Sequence, residues 1–266
     1  MKDKQLNRYE SLIESIFFSA YRKDSVMVPF TREELVATAN TLGIVMPKNP
    51  GDVLYSFRYR NPLPKKILDT QPGGMEWVIE GAGRGKYEFR LTPINRITPN
   101  RNLITIKIPD ATPEIIAINS LSDEQALLAK VRYNRLLDIF LGITTYSLQN
   151  HLRTTVKGLG QIEIDEVYVG IDRHGCQFVI PVQAKGGNDQ LSTVQARQDI
   201  ACCAEKFPDL VCRAMSAQFM DESRIAMFEL CLDQDGLVKT VEERHYRLVP
   251  GDQIDASDRE IYRRRG

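Results

Sequence analysis

Three carboxylates fall within four residues at Glu163, Asp165 and Glu166, and further along the chain Gln183 and Lys185 stand two apart. Carboxylate oxygens are the ligands that hard divalent cations prefer, and an amide carbonyl can join them. A lysine ammonium can orient a water and stabilise negative charge developing on a nearby oxygen. Together these residue types suit metal-assisted hydrolysis. In a strand, residues two apart share a face, so Glu163 and Asp165 point one way while Ile164 and Glu166 point the other. Acids this close raise one another's pKa unless a cation or solvent intervenes, so the cluster is either exposed or metal-binding. Its neighbours Ile162, Ile164, Val167, Val169 and Ile171 argue for partial burial.

The elements that must position these groups follow from periodicity. Residues 162–171 and 178–185 read as two strands joined by a turn at Asp172-Arg173-His174-Gly175, so a hairpin lays the end of the second beside Asp165. Val179-Ile180-Pro181-Val182 is continuously apolar, as in a strand covered on both faces, although Pro181 removes a ladder donor. A helix over 189–206 is expected after Gly186-Gly187; on it Gln195, Gln198 and Asp199 read as ordinary surface polarity, with contact to the DNA backbone or support of the active site as the alternative. Upstream, Ser122-Asp123-Glu124-Gln125 starts a helix running through Leu127, Leu128, Val131, Leu136, Ile139 and Phe140 to Gly142. A shorter helical stretch is expected over 147–153. Beyond Pro208, residues 224–230 and 246–249 are the clearest strand candidates, and 211–215 a weaker one.

Over about residues 122–235 this arrangement resembles the PD-(D/E)XK nuclease superfamily, in which an Asp at one strand end faces an acid-x-Lys on the neighbouring strand. Asp165 matches the Asp, and Gln183-Ala184-Lys185 the acid-x-Lys, with an amide where the commonest pattern has a carboxylate. The resemblance implies an α/β, restriction-endonuclease-like mixed sheet flanked by helices. It also implies a Mg²⁺- or Mn²⁺-dependent endonuclease acting on DNA in restriction or defence. Asp165 and Gln183 would hold the metal, with Glu163 or Glu166 as the further acid. Asp165, Gln183, Lys185 and Glu166 are then the catalytic candidates. The helix-borne acid of many members finds no match at Gln149-Asn150-His151 and stays open. A structural ion pair between Asp165 and Lys185 is the plain alternative.

The first 95 residues read differently. A stripe at Leu12, Ile13, Ile16, Phe17 and Ala20 forms one helix, and a short β-prone run follows at Val26-Met27-Val28. Thr31-Arg32-Glu33-Glu34 is a capping box opening a second helix that stops at Gly43. Asn49-Pro50 starts a third over 51–60, which leaves Tyr55, Arg58 and Arg60 more available than Val53, Leu54 and Phe57. Two β-prone runs, 75–80 and 86–91, flank Gly81-Ala82-Gly83-Arg84-Gly85 as a hairpin. Three helices and then a hairpin resemble a winged-helix DNA-binding module, which implies that Arg58, Arg60 and Tyr55 contact duplex DNA. A solvated basic face is the alternative for the arginines. Residues 96–121, with Pro99, Pro109 and Pro113 around a strand at 103–108, read as a linker between a winged-helix-like domain (1–95) and a nuclease domain (122–266).

Bulk properties bound the rest. The chain has 266 residues, 42% of them hydrophobic, and no apolar stretch long enough to span a bilayer, so it is expected to be cytoplasmic and off the membrane. The net charge is zero, but 15 basic and 11 acidic residues in the first 100 leave 20 against 24 beyond them, a mild asymmetry. Five cysteines with no C-x-x-C spacing suggest neither a disulfide framework nor a zinc site. His151, His174 and His245 form no ligand spacing, and the glycine loop at 81–85 lacks the spacing of a phosphate loop. Cutting both strands of a duplex would most simply use a two-fold homodimer. RNA and branched DNA would share the same metal chemistry. From a different functional class comes a winged-helix regulator with a catalytically inactive second domain.

Overall fold

The computed structural model describes the chain apart from residues 1, 60, 95–96, 120–123, 187–190, 222, 235 and 265–266, and apart from the side chains of 2–7 and 59. It divides into two compact units, one of residues 1–95 with Thr155–Ile162, the other of 96–154 with 163–266.

The first unit runs α1 (Lys2–Ala20), β1 (Met27–Thr31), α2 (Arg32–Thr41), α3 (Gly51–Tyr59), α4 (Lys65–Leu68), β2 (Met75–Gly81) and β3 (Lys86–Pro93). Its strands form an antiparallel sheet in the order β1-β3-β2. Leu12, Ile13, Ile16 and Phe17 bury the stripe of α1 against Leu35, Val53, Leu54, Phe57, Trp77 and Phe89. The capping box forms as its spacing predicts: Glu34 N–H donates to Thr31 Oγ1 at 3.1 Å and Thr31 N–H to Glu34 Oε2 at 2.7 Å. Asn49 Oδ1 accepts from Gly51 N at 3.2 Å at the start of α3. Gly81 is required by space, because a Cβ there would come within 2.0 Å of Leu159 O.

The second unit runs β4 (Thr105–Pro109), α5 (Glu114–Asn119), α6 (Glu124–Tyr133), α7 (Leu136–Leu141), β5 (Thr144–Val156), β6 (Gly160–Ile171), β7 (Gln177–Lys185), α8 (Thr193–Lys206), β8 (Val211–Cys212), β9 (Ala214–Phe219), β10 (Arg224–Leu232), β11 (Val238–Val249) and α9 (Ala256–Arg263). The architecture is α/β. A mixed eight-stranded sheet has the order β4-β11-β10-β9-β7-β6-β5, with β8 also on β7, and helices flank it. The β6–β7 pair is antiparallel and the β7–β9 pair parallel. Leu127, Leu128, Val131, Leu136, Leu137 and Phe140 of α6 and α7 cover one face, over Tyr168, Ile180, Val182 and Ala184. On the other face Ala196 of α8 packs with Ala214, Ala226, Phe228 and Leu230. Pro181 is tolerated inside β7 because it falls where the parallel partner changes from β8, which ends at Cys212 opposite Val179, to β9, which pairs from Met215 opposite Val182.

Four expectations are revised. The helix expected over 147–153 is strand β5, which borders β6 and whose ends are β-branched, Thr144-Thr145 and Thr154-Thr155-Val156. The single helix expected to run to Gly142 is broken at Arg135, whose φ is 49°, into α6 and α7; its start at Ser122-Asp123 lies outside the described residues. Residues 96–121 do not act only as a linker, since the Thr105–Pro109 run pairs in parallel with β11. Helix α8 begins at Thr193 with Ser192 as its cap, and the expected start at Asp189 lies outside the described residues. No described helix is long and apolar enough to cross a membrane, and all five cysteines are free.

Candidate active site

Register brings the central residues together. Glu166 lies opposite Val182, so Asp165 falls beside the end of β7, and its Oδ2 accepts from the backbone N–H of Ala184 at 2.9 Å. Gln183 shares its strand face with Lys185 and is buried. Its Nε2 donates to Asp199 Oδ2 at 2.9 Å and to Glu163 O at 3.3 Å, while its Oε1 is buried with no donor among the described residues. Lys185, nearly buried, places Nζ 3.1 Å from Glu124 Oε1 at the start of α6. Asp199 comes from α8, also buried. Two adjacent strands and the two helices flanking them therefore contribute Glu124, Asp165, Gln183, Lys185 and Asp199.

The electrostatics of this group are unbalanced. Burial pushes the Asp165 carboxyl above its ordinary value; Glu124 adds to the rise, against the Ala184 N–H and the charges of Lys185 and His151. Asp199 is pushed up further, by burial first and by the charge of Asp165, against the Gln183 amide and Lys185. One ammonium thus serves three acids, two of which burial holds above their ordinary values, and added positive charge would favour their ionised form.

A divalent ion would supply that charge. Among the described residues no three of His, Cys, Asp and Glu are grouped to hold a metal ion, so such an ion would draw on Asp165, Asp199 and an amide oxygen. Gln183 fits this role: its Nε2 is fixed on Asp199, and the oxygen left without a donor is the atom an ion would take.

The expected acids separate. Glu163 is held by Arg153, with Nε 3.2 Å from Oε2, and by His151, with Nδ1 3.5 Å from Oε1. Glu166, expected among the catalytic residues, lies on the opposite face of β6 and is fully buried. Its Oε1 accepts from Arg132 at 2.6 and 2.9 Å and from Ser147 Oγ at 2.9 Å, so it belongs to an ion pair away from Asp165. Strand alternation dictates that separation.

In the first unit, Arg58 does not stand free for a ligand. Its Nε donates to Ile79 O at 2.9 Å, its guanidinium lies over Tyr87 with Cζ 5.9 Å from the ring centroid, and one terminal nitrogen is buried without a partner. Tyr55 is exposed on α3, and Arg60 lies outside the described residues. Arg84 and Lys86, at the turn between β2 and β3, are exposed.

Two members of the central group were not among the sequence candidates. Asp199 carried a signal, since it lies three residues after Ala196 and three before Cys202, on the stripe that α8 buries. Glu124 carried none beyond its place in the first turn of a helix, because its partner Lys185 is distant in sequence. No protein-family model matches the chain, and no curated protein or solved structure matches it.

Proposed function

We propose that this protein is a metal-dependent endonuclease that hydrolyses DNA phosphodiester bonds. The observation that carries it is the junction of Asp165, Gln183 and Lys185 with a buried acid, Asp199, where the Gln183 oxygen has no donor among the described residues. Their placement on adjacent strands of a mixed sheet, between α6 and α8, is what a PD-(D/E)XK nuclease would require, with Glu124 standing where the helix-borne acid was left open. Bound Mg²⁺ or Mn²⁺ would polarise the scissile phosphate and lower the pKa of water.

The chain's own groups then have separate tasks. The Ala184 N–H fixes the carboxylate of Asp165 at 2.9 Å. Asp199 holds the nitrogen end of Gln183 and so decides that the oxygen end is the one available. Lys185 is kept extended by Glu124 and can donate to the attacking water and to the negative charge that builds on phosphate oxygen. In the first unit, helices α1 to α4 followed by the β2–β3 hairpin support a winged-helix reading, in which the unit would grip duplex DNA through the exposed Arg84 and Lys86 turn and Tyr55. A two-fold dimer would cut both strands, and restriction or defence would be the setting.

The direct test is to incubate the purified chain with supercoiled plasmid, methylated and unmethylated, with and without Mg²⁺. Nicked or linear product only with metal is expected. DNA binding with no cleavage of either plasmid overturns the nuclease and leaves a DNA-binding regulator.

A further inference from the structure

Strand β5 ends the eight-stranded sheet. From Tyr146 to His151 every residue is exposed, so neither face nor outer edge is covered by the described residues. A long bare edge invites pairing with another strand unless its geometry or charge prevents it. Here His151 has a φ of 48°, a left-handed conformation that interrupts the flat edge on which such a strand would lie. The sequence carries no acidic residue between Asp138 and Glu163.

The charges beside this edge are sorted by depth. In the pair Arg135–Asp138 the side chains are 60% and 15% exposed, in Arg132–Glu166 38% and 0%, and in Arg153–Glu163 68% and 27%. In each pair the guanidinium is the outer member and its acid lies beneath it. Arg132, Arg135, Tyr146 and Ser147 line a concavity of about 290 Å³. Gln149 and Asn150 add exposed amides between this concavity and His151. That is a surface for a polyanion: arginines for phosphate oxygens, amides and hydroxyls for sugar and phosphate, and an aromatic ring in reach of a base.

We propose that β5 and its flanking arginines form a docking strip for the sugar–phosphate backbone of nucleic acid. The strip leads by way of His151, whose Nδ1 stands 3.5 Å from Glu163 Oε1, toward the strand face that carries Asp165. The role of the strip in feeding that site rests on the nuclease assignment; its affinity for nucleic acid does not.

The experiment replaces Arg135 and Arg153 together by Gln in the full chain, with Arg135→Lys/Arg153→Lys as the charge-retaining control. Affinity for a short fluorescein-labelled duplex is read by anisotropy, with Ca²⁺ in place of Mg²⁺, over a series of salt concentrations. The Gln variant is expected to bind about tenfold more weakly, with a salt slope lower by about one to two, while the Lys variant stays near wild type. With Mg²⁺, KM should rise and kcat at saturating DNA should hold. Unchanged affinity in the Gln variant, or a wild type that binds no duplex, overturns the strip. So does a fall in solution mass from two copies to one without loss of DNA affinity, which would make the edge a contact between copies. A wild type that binds through these arginines but never cuts overturns the nuclease assignment and leaves the strip standing.

Discussion

The two faces of β6 each carry a carboxylate withdrawn from solvent, Glu166 buried and Asp165 half-buried, and they treat it differently. On the α6–α7 face, Glu166 collects two bonds from a dedicated guanidinium and one from a serine hydroxyl, all on one oxygen. On the α8 face, Asp165 and Asp199 have a backbone N–H, one amide and the charge of a lysine that also serves Glu124. Breaking a buried pair leaves an uncompensated charge, so an acid with its own arginine is a structural commitment. Acids short of positive charge are placed to receive a cation from solution; that shortage, and not a donorless oxygen, sets the α8 face apart, since Glu166 Oε2 is also buried without a donor among the described residues. The contrast separates Glu166 from Asp165 although they are neighbours in sequence.

The sharpest break of this comparison is Lys185→Ala. Removal of the ammonium that acts on Asp165 and Asp199 should lower the single-turnover cleavage rate by about 10²–10³-fold, while DNA and metal binding largely persist. Asp165→Ala should lose metal binding and cleavage together. A Lys185→Ala chain that cuts at the wild-type rate would show that the active site has been assigned to the wrong residues.

On the other face the effect should be on stability alone. Glu166→Gln leaves Arg132 with a neutral partner and should cost about 3 kcal/mol, toward the lower end for a buried pair because Arg132 is partly solvated. Denaturant midpoints would measure the loss. Cleavage per folded molecule should stay within a few-fold of wild type; a loss as deep as that of Lys185→Ala would place Glu166 in the chemistry after all.

Asp199→Asn tests whether the α8 face is charge-starved. The folded value of Asp199 lies well above its ordinary one, so the native chain holds that proton more tightly than the unfolded chain does. The stability this gives is complete below the ordinary carboxylate value and is lost as pH rises through the raised folded value. Without metal, the Asn variant should therefore be the more stable at neutral pH and should lack that part of the pH dependence. It should bind Mg²⁺ or Mn²⁺ about tenfold or more weakly, so the metal-induced rise in Tm shrinks. Equal metal-induced shifts in the two proteins would remove Asp199 from the metal site.

Much of this site was legible in sequence for one reason, the two-residue period of a strand. It places Asp165 opposite in facing to Glu166, and it sets Gln183 and Lys185 on one face. The capping box at Thr31 and Glu34 was legible because it is a local, four-residue device. What escaped depends on tertiary placement. Residues 147–153 gave no clear period because both faces of β5 are exposed, so only the β-branched flanks argued for a strand. Arg58 resembled a free surface cation until the fold brought the Ile79 carbonyl and the Tyr87 ring to it. Glu124 and Lys185 meet only when the sheet and α6 have packed together.

The subtlest probe is Gln183→Glu, which places a carboxylate where the proposed nuclease reading would most commonly have one. Taken from sequence alone, the change should retain activity and tighten metal binding. The structure adds a cost, because the amide nitrogen that Gln183 gives to Asp199 would become a carboxylate oxygen facing another carboxylate. Without metal, the variant has four acids around one ammonium, the new carboxylate joining Glu124, Asp165 and Asp199, and should be less stable than wild type, most of all where pH ionises them. With saturating Mg²⁺ the added charge meets the ion, so most of that loss should be recovered and cleavage should stay within a few-fold of wild type. The expected signature is a metal-induced rise in Tm larger than that of wild type. Calorimetry with and without Mg²⁺ reads it directly, and a variant whose stability is unchanged in both conditions would mean that Gln183 does not face an ion there.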